Sequence, residues 1–175
     1  ALLYENEKTH FLADLTGENY PVGIQLCGSN PAYLADAARI LAQKGACLID
    51  INMGCPAPKI VKNGEGSQIM RHPALAAELV TAVKNAVSIP VTVKMRKGWS
   101  AEEENFLQVG KAVAKAGADA ITLHGRYREQ FYSGNADWES IARLVREVPV
   151  PVIGNGDIFS PQDAQKMLME TGCAG

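Results

Sequence analysis

The stretch ACLIDINMGCP, residues 46–56, is an apolar strand pattern that ends abruptly in a tight turn. Gly54 allows backbone conformations that other residues resist, while Pro56 fixes its own φ and removes an N–H donor. The turn therefore presents the Cys55 thiol where a strand ends. In α/β proteins the carboxyl ends of strands are where ligands bind and reactions occur, so Cys55 is the first candidate functional residue.

Four further apolar strand patterns lie along the chain and alternate with helical patterns, which predicts a parallel sheet. The predicted strands span residues 22–26, 47–51, 91–95, 120–123 and 150–153. The predicted helices span residues 31–44, 73–87, 101–116, 138–147 and 161–171. The N-cap candidates are Asn30, Ser100, Asp137 and Ser160, and the C-terminal stop candidates are Gly45, Gly117 and Gly172.

The number of β/α units decides between two architectures. One unit takes roughly 30 residues and a closed eight-stranded barrel about 250, so a chain of 175 residues holds about five units. A doubly wound sheet of the flavodoxin type fits this length, but its ligand loop follows the first strand, whereas here polar residues end all five predicted strands. We therefore expect residues 1–175 to form one incomplete (β/α)8 TIM barrel, lacking the first strands and the last strand.

Composition excludes several classes of protein. The chain is 47% hydrophobic and 21% charged, and no apolar run approaches the ~20 residues of a membrane helix. We therefore expect a cytoplasmic protein with no membrane partner. The four cysteines lack the paired spacing of metal ligands, so we expect no metal site and reduced thiols. With a net charge of −2, nucleic acid would have to be bound by a local patch.

Polar residues lie at or just past the carboxyl end of each of the five predicted strands. They are Gln25, then Asn52 and Cys55, then Lys94 and Arg96, then His124 and Arg126, and finally Asn155 and Asp157. Because the carboxyl ends of parallel barrel strands meet on one face, we expect these side chains to converge on a single site.

Two of these strand ends indicate an anionic ligand. Lys94 lies in an otherwise apolar strand, and a buried ammonium needs an anionic partner; a bound anionic cofactor would serve. The glycine-rich loop 154–157 leads into a helix start at Ser160, so its backbone N–H groups and the helix dipole suit a phosphate.

The motifs at these strand ends together resemble the FMN-dependent bacterial tRNA-dihydrouridine synthases. The motifs are NMGCP at 52–56, GEGS at 64–67, VKMRKGW at 93–99, HGR at 124–126 followed by YSG at 132–134, and NGDI at 155–158. The resemblance runs from Gln25 to Gly175. Their order and spacing carry the similarity, since none of the motifs is specific alone.

The resemblance implies an enzyme that reduces uridine in tRNA to 5,6-dihydrouridine, with NADPH reducing FMN. In that family hydride passes to C6 of the uracil, and the cysteine that matches Cys55 gives a proton to C5. A cysteine thiol is mostly protonated near neutral pH and can act as such an acid. The family also has a helical C-terminal domain that binds tRNA, which we expect to be absent from residues 1–175.

The same resemblance assigns the remaining strand-end residues. Those that match cofactor-binding positions are Gln25, Lys94, His124, Asn155, Gly156 and Asp157. Asn52 and Arg96 match positions that face the uracil, where hydrogen bonds to its carbonyls would stabilise developing charge. Loop cations on the same face are expected to guide the tRNA backbone: Lys59, Lys62, Arg71, Lys97, Arg126 and Arg128.

Two other functions remain open at this point. A flavin enzyme of the dihydroorotate or dihydropyrimidine dehydrogenase type would share the barrel and the acid at a strand end, but would act on a free base. Alternatively, the chain is a non-catalytic piece of barrel that self-associates through exposed strand edges. For a chain of this length we expect weak activity or none in isolation.

Overall fold

The computed structural model describes residues 13–19 and 21–175, and within them five strands form one parallel sheet. The strands are β1 (Gly23–Leu26), β2 (Leu48–Met53), β3 (Val91–Gly98), β4 (Ala120–Tyr127) and β5 (Val152–Asn155). Each lies within a few residues of its predicted position, and β2, β3 and β4 extend further toward their carboxyl ends than the apolar pattern indicated.

The order of the strands distinguishes the two candidate architectures. They pair in chain order, β1-β2-β3-β4-β5, as in a (β/α)8 barrel. A flavodoxin-like sheet would instead place its second strand outside the first. The prediction of a partial TIM barrel with about five β/α units is therefore confirmed, and the doubly wound alternative is excluded.

Helices follow each strand. They are α1 (Pro31–Gln43), α2 (Pro58–Lys62), α3 (Pro73–Ala86), α4 (Phe106–Lys115), α5 (Trp138–Glu147) and α6 (Pro161–Thr171), with a 3-10 helix at Gly66–Arg71. Three predicted N-caps are confirmed, because Asn30, Asp137 and Ser160 each accept a hydrogen bond from the backbone N–H three residues later. Neither α2 nor the 3-10 helix was predicted.

One predicted helix boundary is wrong. Helix α4 begins at Phe106 rather than at residue 101, so Ser100 is not its N-cap. The intervening residues fold back on the end of β3, where the N–H of Trp99 donates to the carbonyl of Glu103 at 3.3 Å and that of Asn105 to Lys97 at 3.2 Å.

Side chains alternate between the two faces of the sheet. In β2, Ile49, Ile51 and Met53 are fully buried in the core that also contains residues of the surrounding helices, while Asp50 and Asn52 between them are half-buried. Strand β3 repeats this pattern with Lys94 on the polar face. The face of the sheet that lies opposite the buried core is therefore lined by polar groups.

Residues after α6 pair with the free edge of β5. The N–H of Ala174 donates to the carbonyl of Val152 at 2.7 Å, and the N–H of Gly154 donates to Gly175 at 2.8 Å. Among the described helices, none has the length and apolar character needed to cross a membrane.

Candidate active site

A cavity of about 900 Å³ opens at the carboxyl ends of the strands, within the usual size range of small-molecule sites. Its lining includes every site residue predicted from the sequence: Gln25, Asn52, Cys55, Lys94, Arg96, His124, Asn155, Gly156 and Asp157. The expected convergence of five strand ends on one site is therefore observed, although their roles there remain predictions.

The Cys55 turn is held from two sides. The Asn52 side-chain oxygen Oδ1 accepts hydrogen bonds from the N–H groups of Gly54 at 3.1 Å and Cys55 at 2.9 Å. The Cys55 carbonyl accepts from the N–H of Ser67 at 3.0 Å. Gly66, at φ 59°, comes so close that an added Cβ would lie 2.7 Å from that carbonyl oxygen. These contacts fix the backbone that presents the half-buried thiol.

A chain of side-chain hydrogen bonds lies beneath this turn. Asn52 Nδ2 donates to Gln25 Oε1 at 2.7 Å, and Gln25 Nε2 donates to Asp50 Oδ2 at 2.6 Å. Sequence reasoning missed Asp50, although one signal was present. It is an ionisable residue inside a buried strand, two positions before Asn52 and therefore on the same face.

Lys94 contributes a positive charge to the cavity. Its Nζ donates to Asn155 Oδ1 at 2.8 Å, so its hydrogen-bond partner is a neutral amide rather than a carboxylate. Burial and then the charge of Arg96 lower the pKa of Lys94, while the charge of Asp50 acts in the opposite direction. A half-buried ammonium in this setting is suited to an anionic ligand.

Arg96 ties together the loops around the cavity. It is buried, and its Nε donates to the carbonyl of Gly54 at 2.9 Å. Its Nη1 donates to the carbonyls of Tyr127 at 3.0 Å and Phe131 at 2.8 Å. The guanidinium therefore connects the Cys55 turn to the loop after β4, a structural role that the sequence did not reveal.

His124 is neutral at physiological pH. Burial, followed by the charges of Arg96, Lys94 and Arg126, lowers the pKa of His124 to about 4. Its Nε2 lies 3.2 Å from Arg126 Nη1. Because arginine can only donate, Nε2 is the acceptor and the imidazole proton is assigned to Nδ1.

The loop after β5 is fastened to the loop after β4. Asp157 Oδ1 accepts from Arg126 Nη2 at 2.6 Å, and its Oδ2 accepts from the N–H of Ala136 at 2.6 Å. Both Gly156 (φ 117°) and Asp157 (φ 59°) have left-handed backbone conformations, which glycine adopts freely and aspartate tolerates better than most residues. These contacts hold the polar loop against the cavity.

The expected patch of six loop cations is partly wrong. Lys97 pairs with Asp137 at 2.7 Å, Arg71 with Glu103 at 2.8 Å and Arg126 with Asp157 at 2.6 Å. Lys97 and Arg126 are also buried. These three cations are neutralised by carboxylates that lie elsewhere in the sequence, so the expectation holds at most for Lys59, Lys62 and Arg128.

Solved structures with similar folds are barrel enzymes of different chemistry. A Burkholderia cenocepacia protein provisionally assigned as a lyase/mutase superposes with a TM-score of 0.65 at 20% identity, covering 93% of this chain and 56% of that one. D-glucarate dehydratase from Agrobacterium tumefaciens gives 0.61 at 16% identity, covering 89% and 39%. At these identities the likeness shows the fold alone.

The sequence relatives identify a family, whereas the structural neighbours identify only a fold. tRNA-dihydrouridine synthase B from Proteus vulgaris is 47% identical over 149 residues, covering 85% of this chain and 46% of the relative. The enzyme of the same name from Pseudomonas aeruginosa is 42% identical over 170 residues, covering 97% and 51%. The chain thus spans about half the length of these curated relatives. The model of the dihydrouridine synthase (Dus) family matches residues 1–175, and the chain therefore belongs to that family.

Proposed function

We propose that this protein reduces uridine in tRNA to 5,6-dihydrouridine, using FMN and NADPH. The observation that carries the proposal is the Cys55 thiol, which lies on a doubly held turn in the same cavity as Lys94 and His124. Membership of the dihydrouridine synthase family supports the reaction class. No feature of the described site favours a free base over tRNA as substrate.

The cavity fits a flavin mononucleotide in size and charge. Its volume suits a cofactor, and Lys94 supplies a cation that is not in an ion pair among the described residues. We assign cofactor binding to Gln25, Lys94, His124, Asn155, Gly156 and Asp157. Bound FMN would supply the hydride chemistry of the reaction, and NADPH its electrons.

Cys55 is assigned as the acid. Its Sγ–H bond breaks as the proton moves to C5 of the uracil, completing the addition across the C5=C6 bond. Asn52 aims the thiol through the turn, and Arg96 holds the same turn from the opposite side. Both residues line the cavity, and we assign them to the uracil face. Neutral His124 offers Nδ1–H as a donor.

The substrate of such a site must leave its stack. A uracil within tRNA reaches a buried cofactor only when it is flipped out of the stack, so the cavity would receive one extruded nucleotide. We propose a cytoplasmic location, where tRNA is available. We also propose that residues 1–175 belong to the catalytic domain and have weak activity or none when isolated.

Substrate choice provides the test. The full-length protein, supplied with FMN and NADPH, is incubated with unmodified tRNA transcript, free uracil or dihydroorotate. We expect dihydrouridine in digested tRNA by nucleoside mass spectrometry and no turnover of the free bases. Turnover of uracil or dihydroorotate with tRNA left unchanged would overturn the proposal and favour the dehydrogenase alternative.

A further inference from the structure

We propose that Asp50 is a positioning residue that orients the Cys55 turn through an unbroken chain of hydrogen bonds. The chain runs from Asp50 Oδ2 to Gln25 at 2.6 Å, from Gln25 to Asn52 at 2.7 Å, and from Asn52 Oδ1 to the N–H groups of Gly54 and Cys55. The inference deepens the proposed function, because it concerns how the assigned acid is aimed.

The hydrogen bonds of this network can be arranged in only one order of donors and acceptors. A carboxylate can only accept hydrogen bonds, whereas an amide side chain has one accepting and one donating end. Asp50 therefore draws Nε2 of Gln25 toward itself and leaves Oε1 for Asn52. Asn52 must then donate through Nδ2, so its Oδ1 faces the turn. The backbone N–H groups of the turn can only donate, and they require the same orientation.

The register of the sheet holds the chain in place. Gln25 of β1 lies directly beside Asp50 of β2, which lies beside Thr92 of β3. The Thr92 hydroxyl donates to Asp50 Oδ1 at 2.6 Å, so both carboxylate oxygens are occupied. Asn52 lies two residues further along β2 on the same face. Asp50 is not among the cavity-lining residues, and it acts from beneath them.

This arrangement makes two positions chemically dependent on each other. Gln25→Glu would place a second carboxylate against Asp50, and like charges at this distance repel. Adding Asp50→Asn would restore complementarity. The new asparagine donates to the new glutamate and accepts from Thr92, while the glutamate still accepts from Asn52. The double variant should therefore recover what the single variant loses.

The alkylation rate of Cys55 reports how firmly its turn is held, and the assay needs no cofactor, NADPH or tRNA. The full-length protein is treated with iodoacetamide, and the labelling rate of each cysteine is followed by peptide mass spectrometry. In Asp50→Leu we expect Cys55 to react about tenfold faster, as expected for loss of the turn's hydrogen bonds. Buried Cys173 reports unfolding and should keep its wild-type rate.

Thr92→Val is the matched control. It removes one hydrogen bond to Asp50 but leaves the Gln25 and Asn52 contacts intact, so the Cys55 rate should stay within about twofold of wild type. Gln25→Glu should accelerate Cys55, and Gln25→Glu/Asp50→Asn should return within about twofold of wild type.

Two results would overturn the inference. One is an unchanged Cys55 rate in folded Asp50→Leu or Gln25→Glu. The other is a double variant no closer to wild type than Gln25→Glu alone. If Asp50→Leu does not fold, the comparison of Gln25→Glu with Gln25→Glu/Asp50→Asn tests the inference instead. Since no reaction with tRNA is involved, failure of the proposed function would not alter these rates.

Discussion

At the scale of single residues, the site depends on groups whose charge is set by their neighbours. His124 is 7% exposed and faces three cations. Its imidazole therefore stays neutral at pH values where an exposed histidine begins to take up a proton. A neutral ring can accept from Arg126 while keeping one N–H for the cavity, which a protonated ring could not do.

His124 should make stability depend on pH. Its pKa is about 4 in the folded protein and about 6.5 when unfolded, so the unfolded chain binds more protons between these values. The contribution of neutral His124 to the stability of the fold is therefore complete above about pH 6.5 and is lost as the pH falls toward 4. From pH 7 to pH 5 this amounts to about 2 kcal/mol. Denaturant unfolding of wild type and His124→Gln at both pH values measures it.

The comparison of the two proteins isolates this histidine from other titrating groups. His124→Gln keeps a polar side chain but does not titrate, so its stability should fall by about 2 kcal/mol less over the same interval. Equal losses in the two proteins would show that His124 is not held neutral by its surroundings.

Residue identities could be predicted from the sequence, but several of their bonds could not. Cys55 and His124 were found because each follows an apolar strand pattern, and Lys94 because it interrupts one. The donors of Arg96 reach the carbonyls of Tyr127 and Phe131, which lie 31 and 35 residues away in sequence. No local pattern signals such contacts, so Arg96 was expected only to face the substrate.

At the scale of elements, β4 and α5 meet at a point with no room for a side chain. The N–H of Asp137, which caps α5, donates to the carbonyl of Gly125 at 2.7 Å. A Cβ on Gly125 would lie 2.6 Å from the carbonyl oxygen and 2.8 Å from the nitrogen of Asp137. These are backbone atoms, which cannot relieve the contact by rotating as a side chain can.

Gly125→Ala should therefore destabilise the fold by about 2 kcal/mol, because the end of β4 must move away from the α5 cap. Gly110→Ala is a suitable control. Its Cβ would meet a terminal methyl group of Leu144 rather than backbone atoms, and alanine favours a helix by roughly 1 kcal/mol. Denaturant unfolding should place Gly110→Ala within about 1 kcal/mol of wild type. A neutral Gly125→Ala would contradict the close approach.

The start of α4 shows why one element was mispredicted. Residues 101–104 have good helix-forming composition, but Glu103 pairs with Arg71 and Glu104 pairs with Lys97. The Arg71 pair joins residues 32 positions apart in the sequence, whereas the Lys97 pair lies within the segment that folds back on β3. Tertiary contacts therefore outweighed the local preference.

At the scale of the whole molecule, the alternation of strand and helix patterns predicted a parallel sheet, and the polar residues that end all five predicted strands favoured the barrel. The exposed apolar surface of the molecule was not predicted by these patterns. Large apolar side chains are exposed on α6: Leu168 at 43% and Met169 at 78%. Exposed apolar groups of this kind favour association with another chain.

We predict that the 175-residue chain self-associates through the exposed face of α6. Light scattering during size-exclusion chromatography should show a mass that rises with concentration. Leu168→Lys/Met169→Lys should shift the protein toward the monomer, since it replaces apolar surface by charge. Gln165→Lys adds one of these charges to the same helix without removing apolar surface, and should not have this effect. A wild-type monomer at every concentration would refute the prediction.

The central claim is that the strand ends form one site in which Cys55 protonates uracil. Rapid mixing of full-length Cys55→Ala tests it most directly, with Cys27→Ala as control, since Cys27 is exposed and lies outside the cavity lining. Flavin reduction by NADPH should be normal in both variants. Reoxidation of the reduced enzyme by tRNA should slow by at least about 100-fold in Cys55→Ala only. Reoxidation at the wild-type rate in Cys55→Ala would contradict the account.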